Sequence, residues 1–380
     1  MKREYSNIWR GFMHYTELDT PALLIDKRIM QENIDSMQSF ADRNAVRLRP
    51  HTKTHKMSSL AKMQEAAGAA GITVAKVGEA EVMASVGLSD IFIANEIVGE
   101  QKLSKIRALA GSIDISFGID SIFQVDEIER VFEGASKKAQ VLIEIEVGEK
   151  RSGVIEEEYY SALLEAVKHS RNVEFRGVFS HDGHTYKAKT ADEVKYLYEE
   201  AARRTIRFAR MASEAGFEVD TVSIGSTPPF ILGFDIPDGV TEIRPGTYIL
   251  MDAGQSNVIG NFDSSAATVL TTIISKPTHA RVITDVGAKG ITMQTRTKGV
   301  TATDSLGLIG EFEGVYIDSV FDEHAIIYDE SFSRQVEIGD KVRIIPNHIC
   351  PVSNLHESAF LIEDGEVVRE LEIDCRGKIK

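Results

Sequence analysis

From Arg47 onward the chain alternates short runs that are apolar on both faces with longer stretches whose apolar residues recur at helical spacing. The runs Arg47–Lys53, Gly71–Val77, Asp90–Ala94, Ile113–Phe117, Gln140–Val147, Val173–Ser180, Thr221–Gly225 and Glu242–Gly246 read as buried parallel strands, rich in Val, Ile and Phe. Between them, Lys56–Ala70 and Ala191–Ala215 carry a helical apolar stripe and are each followed by Gly, a usual helix stop. Eight strand–helix units over roughly 200 residues match a closed barrel, with a doubly wound open sheet as the competing arrangement. Past about residue 255 the pattern changes. TVLTTIIS, HARVITDVG, GVYIDSV, AIIYD, KVRIIP and AFLIE follow one another with turns between them and little helical periodicity. The expectation is an α/β protein: a (β/α)8 barrel over residues 18–255 and a β domain over 256–380, with residues 1–17 packing against the latter.

Composition narrows the function classes. Apolar residues make up 43% and charged residues 27% of 380, the balance of a soluble globular protein. A formal net charge of −15 argues against a nucleic-acid surface, which needs clustered Lys and Arg. The only cysteines are Cys350 and Cys375, too few for a disulfide framework. The first residues lack the apolar stretch of a signal peptide, and no run reaches the length of a membrane span. A cytoplasmic protein is expected, with no nucleic-acid or membrane partner.

Candidate chemistry gathers at predicted strand ends, where barrels place their active sites. Arg49-Pro50-His51-Thr52-Lys53-Thr54-His55-Lys56 ends the first strand. A lysine there becomes a Schiff-base nucleophile when burial and neighbouring cations lower its pKa. Arg49, His51, His55 and Lys56 could supply that setting, although a basic cluster is more often a solvated loop. Ile224-Gly225-Ser226-Thr227-Pro228 and Arg244-Pro245-Gly246-Thr247-Tyr248 end strands seven and eight. Small residues there let backbone N–H groups and hydroxyls close around a phosphate. Arg151 follows strand five, and the His181–Tyr186 segment (HDGHTY) follows strand six. In Pro346-Asn347-His348-Ile349-Cys350, an extended chain would turn His348 and Cys350 to one face, a nitrogen–sulfur pair that suits zinc. The spacing alone favours a buried cysteine beside a hydrogen-bonded histidine.

The motifs LDTPALLID, RPHTKTHK, VGEKRSGV, HDGHTY, SIGSTP, EIRPGTY and PNHICP, in that order, run from Leu18 to the His348 region. Through them the chain resembles the D-threonine aldolase and D-serine dehydratase group, fold type III pyridoxal-phosphate enzymes related to the alanine racemase barrel. The resemblance implies that Lys53 carries pyridoxal phosphate, that Arg151 lies near its phenolate and Tyr186 near its pyridine nitrogen. It implies phosphate contacts from Gly225, Ser226, Thr227, Gly246 and Thr247. His181, Arg244 and Tyr248 of the same segments complete the candidate cofactor-binding set. His348 and Cys350 are implied ligands of a divalent metal, zinc or manganese. The family implies a homodimer in which the β domain of one subunit closes the barrel of the other.

The same resemblance implies a lyase acting on D-β-hydroxy-α-amino acids. The H-x-C pair, in place of the H-x-D of well-known D-threonine aldolases, tilts the expectation toward dehydration of D-serine to pyruvate and ammonia. Retro-aldol cleavage to glycine and an aldehyde is the alternative. Lys53 is the expected base for dehydration, while His51, His55 and His184 are candidate assisting bases where the β-hydroxyl proton must be taken, as in retro-aldol cleavage. A racemase would need a second base that the sequence does not offer, and a non-catalytic cofactor-binding protein would not need the β domain. Asp322-Glu323-His324 either reaches a partner's site or forms an exposed turn.

Overall fold

A computed structural model describes residues 13–380. The strand β1 (Ala22–Asp26) is followed by the helix Lys27–Arg43. Eight parallel strands then form one sheet: β2 (Arg47–Leu48), β3 (Ile72–Val74), β4 (Asp90–Glu96), β5 (Asp114–Ile119), β6 (Ala139–Glu144), β7 (Val173–Phe179), β8 (Thr221–Ile224) and β9 (Glu242–Ile243). Their order, β2-β9-β8-β7-β6-β5-β4-β3, is that of a barrel. A parallel bridge between His51 and Thr73 joins its two ends, aided by Thr73 N–H donating to the Pro50 carbonyl at 2.8 Å.

The first barrel strand is shorter than the expected Arg47–Lys53. Pro50 has no N–H to give to a ladder, and beyond it the chain coils into a single 3₁₀ turn, Thr52–Thr54, that carries Lys53. The helix expected over Lys56–Ala70 spans Ser58–Ala66, because Lys56 sits at φ +58° and Gly68 at φ +118°, outside helical space. The long helix agrees closely with its periodicity: it runs Ala191–Glu214, and the Thr190 hydroxyl accepts from Glu193 N–H as its N-cap.

Phe92, Leu142 and Phe179 fill the barrel interior, the two rings meeting edge to face at 5.0 Å. Below them Arg49 donates to Glu242 at 2.8 Å and to Asp90 at 2.5 Å, closing the N-terminal end of the barrel with paired charge.

The C-terminal region is a nine-stranded sheet built around β10 (Ala267–Ser275). Here the expected boundary at residue 18 is corrected. β1 lies inside this sheet, antiparallel to β10 with Ala22 opposite Leu270, and parallel to Ser358–Glu363 with Leu23 opposite Ala359. Its run ALLID is buried on both faces, as a central strand must be. Residues 13–15 add to the same region through backbone bonds to Gly365 and Val367, whereas residues 1–12 of the expected N-terminal packing lie outside the described residues. The strands Gly307–Ile309 and Glu366–Glu372 join those the pattern predicted.

Candidate active site

Lys53 and its surroundings follow from the short first strand. The 3₁₀ turn is pinned to β3 by the Thr52 hydroxyl, which donates to the Thr73 carbonyl at 3.0 Å. Burial pushes the Lys53 ammonium below its ordinary range; Cys350 nearby opposes the shift and Arg151 adds to it. A lowered pKa leaves more of the amine neutral and nucleophilic at physiological pH.

Of the basic residues expected around it, only His51 shares its cavity. Arg49 is spent at the other end of the barrel. Lys56 pairs with Glu79 at 2.7 Å. His55, expected as a catalytic residue, is fully buried away from the cavity: its Nε2 meets Gln64 Oε1 at 3.2 Å and its Nδ1 accepts from Met57 N–H. It is a structural histidine, held neutral by burial that pushes it down to about 4.

The barrel mouth opens into a cavity of about 450 Å³ lined by His51, Lys53, Glu96, Glu144, Arg151, Ser152, His181 and Tyr186 and by both glycine loops. His51 is driven well below the ordinary histidine range by burial, then by Lys53 and Arg244; its Nδ1 meets no partner among the described residues. His181 is likewise held neutral by burial and Lys53, with Nδ1 donating to the Gly225 carbonyl. Arg151 bridges Glu144 at 3.4 Å and Glu149 at 3.5 Å, and Ser152 Oγ donates to Glu144 at 2.6 Å.

On the far wall, Thr227 N–H reaches the Tyr186 hydroxyl at 3.3 Å, while Gly246 and Thr247 N–H reach Thr227 Oγ1 at 3.4 and 3.3 Å. These are long bonds among converging donors, the local chemistry an anion can take over. A Cβ on Gly246 would stand 2.9 Å from Thr54 Oγ1 and 3.0 Å from the His51 carbonyl, so only glycine fits between this loop and the Lys53 turn. Ser226 Oγ donates to Asp182 at 3.0 Å. Arg244 forms the floor, donating to Ser223 Oγ and the Ser180 carbonyl and lying 5.3 Å over the Phe179 ring.

Tyr248, expected among the cofactor contacts, does not line the cavity. Its ring is in the core and its hydroxyl accepts from Gln64 Nε2 at 2.8 Å. The 3₁₀ turn Thr247–Ile249 after Gly246 rotates it away from its neighbour Thr247.

A second cavity, of about 510 Å³, adjoins the first and holds His348 and Cys350 together with Gln294, Arg296, Lys298 and Lys187. Lys53, His181, Tyr186 and Thr247 line both. His348 and Cys350 do face one space, though not by extended-chain alternation: the strand ends at Pro346 and Cys350 sits in the first turn of the helix Ile349–Ser353. His348 Nδ1 lies 2.9 Å from Gln294 Oε1, and burial pushes the imidazole down to about 4. Cys350 Sγ contacts Thr54 Oγ1 at 3.4 Å, and burial raises its pKa. No group of three or more His, Cys, Asp or Glu side chains suited to a metal occurs among the described residues.

His184 stands beside Gly148, outside the residues lining either cavity. Asp322-Glu323-His324 forms an exposed turn next to Phe321 and Met293. Sequence reading missed Glu96, Glu144, Ser152 and Arg296. The signal for the first two was present: a carboxylate closing a strand-like run with an apolar centre, as in DIFIANE and VLIE.

Comparison with known proteins agrees with this fold. Residues 25–254 match the model of the alanine racemase N-terminal domain, and residues 266–362 match that of a putative serine dehydratase domain. A D-threonine aldolase of Arthrobacter is 33% identical over 95% of this chain and 93% of its own length. The crystal structure of D-threonine aldolase from Filomicrobium marinum superposes with a TM-score of 0.89 at 28% identity, covering 98% of this chain and 99% of that one. D-threo-3-hydroxyaspartate dehydratase from Delftia gives 0.88 at 28% identity, covering 94% and 98%. That dehydratase is also known as a histidine-to-alanine variant and as a cysteine-to-alanine variant in a metal-free form, the two altered residues standing two positions apart as His348 and Cys350 do here. By its two domains and its relatives, this chain belongs to the D-threonine aldolase and D-serine dehydratase family of pyridoxal-phosphate lyases.

Proposed function

We propose that this chain is a metal-assisted pyridoxal-phosphate lyase of D-β-hydroxy-α-amino acids, working as a D-serine-type dehydratase. The observation that carries the reading is the shared wall of the two cavities. Lys53 borders both the phosphate-type loops and the His348–Cys350 pair.

The residues present fit the cofactor. Thr227, Gly246 and Thr247 offer converging N–H donors, Gly246 leaves a cradle that a Cβ would fill, and Lys53 is a buried amine of lowered pKa. When bound, pyridoxal phosphate draws away the electrons released at the substrate Cα. Lys53 would hold the cofactor through Nζ and, once the substrate amine has displaced it, would take the α-proton on the freed Nζ. His51 and His181 are neutral, so neither adds a positive charge to that transfer. Arg151 and Tyr186 both line the cavity and would orient the ring.

The donor set of the second cavity fits a divalent ion. Nδ1 of His348 is engaged by Gln294, which leaves Nε2 as ligand, with Cys350 Sγ as the second. A zinc or manganese ion there would act as a Lewis acid on the substrate β-hydroxyl, with water or substrate filling its other positions. Retro-aldol cleavage is the second reading, favoured by the likeness to the Arthrobacter D-threonine aldolase. We also propose a homodimer, supported by the exposed Phe321 and Met293 on the sheet domain.

The test is product identification. Purified protein is given pyridoxal phosphate and zinc or manganese, then D-serine or D-threonine separately. Pyruvate or 2-oxobutyrate with ammonia establishes dehydration; glycine with acetaldehyde from D-threonine establishes the aldolase instead. Lys53→Ala and chelation should each abolish turnover. Retention of the cofactor by Lys53→Ala as tightly as by the native chain would remove Lys53 from its assigned place.

A further inference from the structure

We propose that Arg296 is the receptor for a substrate carboxylate. The inference rests on the functional reading above and adds to it the group that anchors the far side of the substrate.

Arg296 stands out by what it lacks. Its side chain is 13% exposed, yet the guanidinium makes no hydrogen bond to any described residue. Nη1 is buried without a partner, and the nearest carboxylate oxygen, on Asp252, is 3.9 Å from Nη2, beyond hydrogen-bond reach. Two arginines buried more deeply differ: Arg49 is bonded to Asp90 and Glu242, and Arg244 to Ser223 and Ser180. A guanidinium nitrogen buried with its donors unspent, as Nη1 is, is costly unless a ligand completes it.

Its position is built rather than accidental. The guanidinium lies 5.6 Å over the Tyr186 ring. Its backbone carbonyl accepts from Thr303 N–H at 2.6 Å, which fixes the loop. A Cβ on Gly254 would come within 2.9 Å of both Arg296 Cδ and Nη1, so Gly254 makes the room the side chain occupies. From there Arg296 borders the cavity of Lys53, His348 and Cys350.

That cavity is cationic in an acidic protein. Even without Lys53, Lys187, Arg296 and Lys298 line it against a single carboxylate, Glu149, although the chain carries a formal charge of −15. The planar fork of an arginine matches a carboxylate in two parallel hydrogen bonds. That carboxylate is either the one on Cα or a second one on the substrate side chain.

Calorimetric titration of the cofactor-loaded protein with malonate tests the site without turnover, since malonate has no amine. Malonate should bind the native protein, and Arg296→Gln and Arg296→Lys should each weaken it by about tenfold or more. Arg296→Lys keeps a positive charge near Asp252, so it guards against simple misfolding. Equal binding to all three proteins, or none to the native one, overturns the proposal. With D-threonine and D-threo-3-hydroxyaspartate, KM should rise in Arg296→Lys. An equal rise for both assigns Arg296 to the α-carboxylate; a rise for hydroxyaspartate alone assigns it to the side-chain carboxylate; no rise for either overturns the proposal. Arg296-dependent malonate binding in a protein that turns over neither amino acid would leave this site standing and remove the lyase reading instead.

Discussion

At the scale of single residues, similar sequence neighbours have separate fates. Thr247 lines both cavities while Tyr248, one position on, is a core residue bonded to Gln64. Tyr248→Phe is therefore expected to cost stability, about 1–3 kcal/mol for the stranded Gln64 donor, with cofactor affinity unchanged; thermal melts beside a pyridoxal-phosphate titration check this. Gly246→Ala should do the reverse. The added methyl displaces the turn that carries Lys53, and a shift of about 1 Å can cost roughly a hundredfold in turnover. Steady-state rates near native values would show that the loop has slack. Glu96 offers a pH signature. Burial, then the neighbouring Glu144, push its carboxyl up to about 9 from an ordinary 4.5. The folded state thus holds a proton that the unfolded chain has lost, and stability falls as pH rises between those values. In the cofactor-free protein, Glu96→Gln should flatten that decline. Parallel melting-temperature profiles across pH 5–9 would contradict it.

At the scale of elements, boundaries moved where backbone chemistry intervened. The predicted strand ran through Lys53, but Pro50 ended the ladder and left a 3₁₀ turn, and that turn is what aims Lys53 into the cavity. A lysine continuing a strand would have followed the ladder instead. The helix Ala191–Glu214 was legible almost to the residue because its stripe is long and its cap, Thr190, is an ordinary one. Thr190→Ala should cost about 1 kcal/mol, read by chemical denaturation, through the lost bond to Glu193 N–H. Glu366–Glu372 escaped notice because its sequence EVVRELE is largely polar, as suits a strand at the sheet's edge.

At the scale of the molecule, barrel and sheet are not independent bodies. One continuous core runs from Leu48, Met57 and Ile243 of the barrel to Leu23, Val269 and Ile344 of the sheet. Calorimetry should accordingly give a single cooperative transition, and a fragment holding the barrel alone should fail to fold, because its half of that core would face water. Two separated transitions would contradict a shared core. No helix among the described residues is long and apolar enough to cross a membrane.

By itself the sequence determined the periodicities, and with them the barrel, the β region and the Lys53, Gly225–Thr227, Gly246–Thr247 and His348–Cys350 segments, because burial and turn chemistry are written locally. Only the tertiary structure decided which neighbours those segments meet. It moved β1 into the distant sheet, sent His55 and Tyr248 to the core, and brought Glu96, Glu144 and Arg296 to the cavities. The physical reason is range: a residue's propensity is set by its near neighbours, whereas its partners across a cavity are set by strand order and by competition for buried space.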